Sequence, residues 1–342
     1  MTASTTDISG VPVARSAGPW RSAWQHVSKD RVAVGSLVGL ILIVLACVAA
    51  PLYADHIAHV DAFTSNVNGT YTLNGVTKLV LESSTEGLGL GVNPIGPTWN
   101  FTTYFLGADN QGRDVFARLL YGGRNSLLIG FIAAVICCVL AGFVGVIAGY
   151  FGRAVDAVLS RALDVLWAFP VYLLAICLSV VLINSSITIG PFALTSGSLL
   201  LPILIIGVIY VPYVARPIRG QVMSLREREF VQAAVGAGAG DSRLLRREIL
   251  PNVLPTIIVF LPLMTAIAML TESALSFLSI GVQPPEASWG TIINDGVGLL
   301  YTRPMVAIAP GVMLALTAVA LNLLGDGVRD ALDPKARLRG AI

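Results

Sequence analysis

The sequence predicts an all-α membrane protein of six spanning helices, with a small β-containing insertion on the outer face between the first two. Three observations carry this. Hydrophobic residues make up 55% of the 342 and charged residues only 12%, with a mean hydropathy of +0.77, which is too apolar for a water-soluble domain. The charges leave runs free of any Asp, Glu, Lys or Arg that reach or exceed the roughly 20 residues a helix needs to cross a bilayer. The Lys and Arg outside those runs crowd to one side.

The charge-free runs are 32–54, 125–152, 165–215, 249–271 and 304–325. The third is twice the length of one span. Polar or helix-breaking residues cut it at Asn184-Ser185-Ser186, Gly190-Pro191 and Ser196-Gly197-Ser198. The predicted helices are therefore 32–52, 126–149, 165–184, 198–215, 254–272 and 305–325. The first run is too long and too far from the start to read as a cleaved signal peptide, and it is expected to be a retained span.

Orientation follows from the basic residues. With the N-terminus inside, only Lys78, Arg113, Arg118, Arg124 and Arg303 lie outside, against all other Lys and Arg inside. Both termini are then expected in the cytoplasm. The organisation reads as a tail 1–31, a first helix 32–54, an external insertion 55–124, a core of five helices 125–325 and a tail 326–342. A cytoplasmic loop, 216–253, interrupts the core.

In the insertion, residues 70–81 alternate apolar and polar around Asn74-Gly75, a hairpin signal because such a turn needs positive φ. Residues 87–97 are rich in Gly and Pro and are expected to be loop. Cys137, Ala141, Gly145 and Gly149 line one face of the second span, where small side chains let helices approach closely. The partner in that contact is internal or a second subunit. Cys47, Cys137, Cys138 and Cys177 read as small buried hydrophobes, and His56 and His59 as surface histidines. No metal site is expected.

Polar groups within the membrane are few. Asn184, Ser185 and Glu272 are candidates for a substrate pathway, with a structural role favoured for Glu272. So little buried charge argues against an ion-driven carrier. The lysines are followed by Asp30, Leu79 and Ala336, so the chain has no phosphate-cradling Lys-Ser or Lys-Thr. It also lacks a G-x-S-x-G nucleophile motif, and membrane hydrolase chemistry is not expected.

The most structured polar segment is 224–255. Ser224 and Glu227 have capping-box spacing, predicting a helix from Ser224 to about Ala237. Gly236, Gly238 and Gly240 permit a sharp turn, Asp241 can cap a second short helix, and Pro251 and Pro255 mark the return to the membrane. Periodicity alone leaves two readings even: a helix–turn–helix docking surface, or amphipathic helices on lipid headgroups.

The segment resembles the coupling motif of binding-protein-dependent ABC importer permeases, in which E-A-A, three residues, Gly, nine residues and I-x-L-P recur. Gln232-Ala233-Ala234, Gly238 and Leu250-Pro251 fall in register, while Gln232 replaces the acid and Glu248 the isoleucine. Residues 107–130, 276–296 and 325–335 resemble the C-type permease of bacterial dipeptide and oligopeptide importers. The resemblance implies the type I importer permease (MetI-like) fold and a non-catalytic translocation subunit in the bacterial inner membrane. It implies as partners a homologous B-type permease, two ATP-binding subunits or one fused ATPase, an external solute-binding protein and a peptide substrate. Membrane lipid surrounds the chain and no nucleic acid is involved. No cofactor is implied for this chain, since ATP and Mg belong to the ATPase. The implied coupling residues are Arg228, Glu229, Gln232, Ala233, Ala234, Gly238, Leu250 and Pro251. A secondary carrier or channel, or a metal-chelate importer, is the alternative.

Overall fold

A computed structural model of the chain describes residues 27–73, 75–83, 91–183, 187–189, 192–194 and 198–332. Ten helices of eight or more residues lie among the described residues. They are α1 (Arg31–Val48), α2 (Val115–Phe151), α3 (Arg153–Ala168), α4 (Val171–Ile183), α5 (Leu200–Ile209), α6 (Val211–Arg226), α7 (Glu229–Gly236), α8 (Leu250–Phe277), α9 (Trp289–Val297) and α10 (Met305–Leu332). Among the described residues, five segments are long and apolar enough to cross a membrane, or six if the bent pair α3–α4 counts as one span.

Helix α1 starts where the sequence places it. Asp30 caps it by accepting from the Val32 N–H at 2.9 Å, satisfying one of the donors left free at any helix start. Val38, Leu42 and Leu45 point outward along its length, a lipid-type surface. The second span is longer than charge-free counting predicts. Helix α2 runs for 37 residues, starting at Val115, inside the expected external insertion. Asp114 caps it by accepting from Ala117 N at 2.8 Å. Arg118 and Arg124 ride on it, so charge does not mark the helix boundary.

The third span departs from expectation. In place of a helix over 165–184, α3 ends at Ala168, Phe169 is extended (φ −92, ψ 139), and α4 departs at an 88° bend. Pro170 explains this, because a residue before proline is pushed out of the α region. The fourth span also overruns. Helices α5 and α6 continue through Arg216 and Arg219 as far as Arg226. Arg219 forms two hydrogen bonds to Asp156, and Arg216 pairs with Asp164 at 2.9 Å and lies over the Trp167 ring. Both arginines are held against α3 rather than released into a loop.

Helix α2 is the spine, with α6, α8 and α5 packed along it. The small-residue row lies on the α6 side. A Cβ added at Gly145 would sit 2.8 Å from the Ala215 carbonyl oxygen, and one at Gly149 would sit 2.7 Å from that of Arg219. These are backbone atoms that cannot swing away, so the row is an internal helix contact. Cys47, Cys137 and Cys138 are buried, while Cys177 is exposed on α4. His56 and His59 are exposed.

The insertion between α1 and α2 folds as expected around Gly75. Strands β1 (Thr70–Leu73) and β2 (Val76–Leu79) pair antiparallel, with Thr72 opposite Thr77. The expected loop over 87–97 is partly strand: β4 (Val92–Pro94) pairs with β3 (Leu81–Ser83). Val80, Ile95, Tyr104 and Ala108 form a small core beneath the hairpins. A further short pair, β5 (Ile187–Ile189) and β6 (Phe192–Leu194), follows α4.

Candidate functional site

The Arg-rich segment folds as helix, turn, helix, but not from the expected start. Ser224 lies inside α6, so the capping box does not form. The break falls at Glu227 and Arg228, and α7 begins at Glu229 without a side-chain cap. The Gln232 amide closes the bend by donating to the Arg226 carbonyl at 3.0 Å. A carboxylate at this position could not donate that bond, so the departure from the acidic motif has a local use.

Helix α7 is two-faced. Val231 is buried and Ala234 packs beside it, in one core cluster with Tyr150, Leu244 and Ile249. The opposite face leaves Gln232, Ala233 and Val235 open, and Phe230 is 43% exposed. Arg228 and Glu229 stand exposed at its start.

Gly238 ends this helix with φ +79. Its N–H donates to Val235 O at 2.9 Å, and the Ala239 N–H donates to Ala234 O at 3.0 Å. These are the two bonds of a Schellman C-cap, which wants a left-handed residue where Gly238 stands. The motif glycine is thus explained first by backbone geometry. Gly240 caps the next short turn, Asp241–Arg243, and Asp241 is not the cap. Its carboxylate instead accepts from the Tyr150 hydroxyl at 2.8 Å. Arg226 donates to the Tyr150 carbonyl at 3.0 Å, and the Gln221 amide donates to Asn252 O at 3.0 Å. Leu250 and Pro251 open α8 directly after buried Ile249. The coupling candidates therefore form a surface hydrogen-bonded to the end of α2 and continuous with the start of α8.

The pathway candidates separate. Asn184 and Ser185 lie outside the described residues. Glu272 is fully buried. It accepts from Ser126 at 2.9 Å and Ser276 at 2.6 Å. Those hydroxyls accept in turn from the backbone N–H of Trp289 (3.1 Å) and Val282 (2.9 Å). Glu272 thus ties α2 and α8 to the α8–α9 connection, a structural role.

A polar cluster at the opposite end was not anticipated from the sequence. Asp109 accepts from Arg113 at 2.8 Å and Arg118 at 2.6 Å, and Asp295 accepts from both arginines at 3.0 Å. Both arginines are almost wholly buried. The cluster bolts the start of α2 to α9. The i, i+4 spacing of Asp109 and Arg113 was a readable signal, whereas Asp295, far along the chain, offered none.

The family described as binding-protein-dependent transport system inner membrane component matches residues 141–338. The N-terminal transmembrane domain of oligopeptide transport permease C matches residues 18–67. The dipeptide transport system permease protein DppC of Alkalihalophilus pseudofirmus is 33% identical over 93% of this chain and 91% of its own length. The oligopeptide transport system permease protein OppC of Bacillus subtilis is 33% identical over 93% and 90%. The glutathione transport system permease protein GsiD of Pectobacterium atrosepticum is 32% identical over 93% and 92%. Among solved structures, an inward-facing MetNI methionine ABC transporter chain superposes with a TM-score of 0.51. It has 17% identity and covers 63% of this chain and 96% of its own. That likeness carries the MetI-like fold.

Proposed function

This chain belongs to the family of binding-protein-dependent transport system inner membrane components, and from that premise we propose that it is a translocation subunit importing di- or oligopeptides. It is a multi-pass inner-membrane protein and a non-catalytic permease, working with ATPase and binding-protein partners. The finer assembly pairs it with a homologous B-type permease above two ATP-binding subunits, or one fused ATPase. Both termini and the Arg-rich end then face the cytoplasm, and the β-hairpin insertion faces the external binding protein.

The observation that carries this reading is the open face of α7. Its inner side is anchored by Val231, its end is fixed by Gly238, and its frame is hydrogen-bonded to α2. A rigid, exposed, small-residue surface suits docking into a groove. Gln232, Ala233 and Gly238 contact the ATPase there, with half-buried Ala234 backing them against the core and Arg228 and Glu229 in polar contacts at the rim. Movement imposed on α7 by ATP-driven closure passes to α2 through Tyr150 and to α8 through Leu250 and Pro251.

The test is reconstitution of the complex in liposomes, with and without the ATPases. ATP-dependent uptake of a dipeptide, a longer peptide or glutathione supports the reading. Uptake that proceeds without the ATPases and follows an ion gradient overturns it in favour of a secondary carrier.

A further inference from the structure

A cavity of about 710 Å³ opens at the Arg-rich end between α6, α8 and α10. Its volume falls within the roughly 300–1,000 Å³ typical of ligand sites. Apolar Val259, Phe260 and Leu263 line one side, and Asn322, Asp326 and Arg329 line the other.

Two features set it apart from an ordinary gap between helices. Asp326 and Arg329 are three residues apart on α10, close enough for their side chains to meet. Yet among the described residues neither forms an ion pair or side-chain hydrogen bond, with the other or with any neighbour. Opposite charges left unpaired beside an apolar wall suit a partner carrying both signs. Secondly, Pro217 and Pro255 lie within helices and line the same cavity. Each removes the helical donor for the carbonyl four residues earlier, that of Tyr213 or Pro251. Within a membrane protein such freed groups are tolerated where protein or a wet cavity satisfies them.

We propose that this cavity holds the passing peptide on the Arg-rich side of the pathway, with Asp326 receiving its ammonium end and Arg329 its carboxylate. Asn322 adds hydrogen-bonding capacity for the peptide main chain. The apolar wall accepts side chains without regard to their identity, which suits a carrier of varied peptides. An anionic lipid headgroup would favour a purely basic lining, and the acidic Asp326 disfavours it. This site rests on the reading of the chain as a peptide permease.

The test uses the complete complex in liposomes, with assembly checked by co-purification of the ATPases. Asp326→Asn and Arg329→Gln should each cut uptake of a free-ended dipeptide roughly tenfold, as expected for loss of a charge-assisted hydrogen bond. Val259→Trp, which fills the cavity, should do the same with both charges intact. The decisive variant is the exchange, Asp326→Arg with Arg329→Asp. A zwitterion can bind it in reverse, so uptake should recover towards wild type. A pair that merely stabilised each other would also tolerate the double neutral variant, Asp326→Asn with Arg329→Gln, whereas a peptide site is impaired further by it. Normal uptake by the single variants overturns the proposal, as does an exchange no better than they are; the latter indicates a fixed partner such as the ATPase or a lipid. If the wild-type complex imports no peptide, the permease reading fails and the site falls with it. If only the variant pattern fails, the permease reading stands.

Discussion

Gly238 offers the sharpest perturbation of the proposed coupling surface. It sits at φ +79, and a Cβ built on it meets nothing within 4 Å. A larger residue therefore meets no steric block within this chain, and its cost there is conformational. An L-residue in the left-handed region costs about 1–2 kcal/mol, which is a factor of roughly 5–30 in the population of the turn. The Schellman bonds to Val235 and Ala234 are what that population maintains. Gly238→Val should loosen the end of α7 while leaving the spans, and hence insertion, intact. Asn tolerates this region better than other side chains, so Gly238→Asn should lie between wild type and valine. The assay is peptide imported per ATP hydrolysed in reconstituted complexes, and the ratio should fall in the order Gly, Asn, Val. An unchanged ratio for Gly238→Val would refute the coupling role. An Asn variant as poor as valine would show that the space outside Gly238, rather than its backbone angle, is what matters.

Other consequences can be checked on the purified protein. Gly149→Ala drives a Cβ to 2.7 Å from the Arg219 carbonyl oxygen; overpacking of this kind costs about 1–3 kcal/mol, read as a lowered melting temperature in detergent. Glu272→Leu strips the acceptor from Ser126 and Ser276, and each orphaned buried hydroxyl costs about 1–3 kcal/mol; wild-type thermal stability would contradict the bridging role. Burial lifts the Asp114 carboxyl to about 6 from its ordinary 3.8. The folded state then holds the proton more tightly than the unfolded state, so stability falls as pH rises from about 4 to 6. Asp114→Asn keeps a capping side chain and should flatten that part of the pH–stability curve; an unaltered slope would assign the dependence to another group.

The spans were legible because hydrophobicity is a local, additive signal. Their ends were not, since charge was the marker and charges here stay on helices. Arg216 and Arg219 continue α6 because Asp164 and Asp156, some fifty to sixty residues earlier, are waiting for them. Only the assembled bundle shows that. The break at Phe169–Pro170 was readable from the proline and was hidden by a search for charge alone. The same contrast holds at the proposed coupling surface. Gly238 was visible as a turn residue, because positive φ leaves a signature in residue type. The start of α7 was not, because Ser224 and Glu227 carry the letters of a cap while tertiary packing draws α6 straight past them. The buried cluster of Asp109, Arg113, Arg118 and Asp295 depended on a contact across the chain that no window of sequence contains.

The 37 residues of α2 make a rod of roughly 55 Å, against a hydrocarbon layer of about 30 Å. One end is riveted by the two arginines and two aspartates, and the other by Tyr150. Such a strut transmits tilt without absorbing it. A displacement at the Tyr150 end is then joined to the arginine–aspartate end by one unbroken helix.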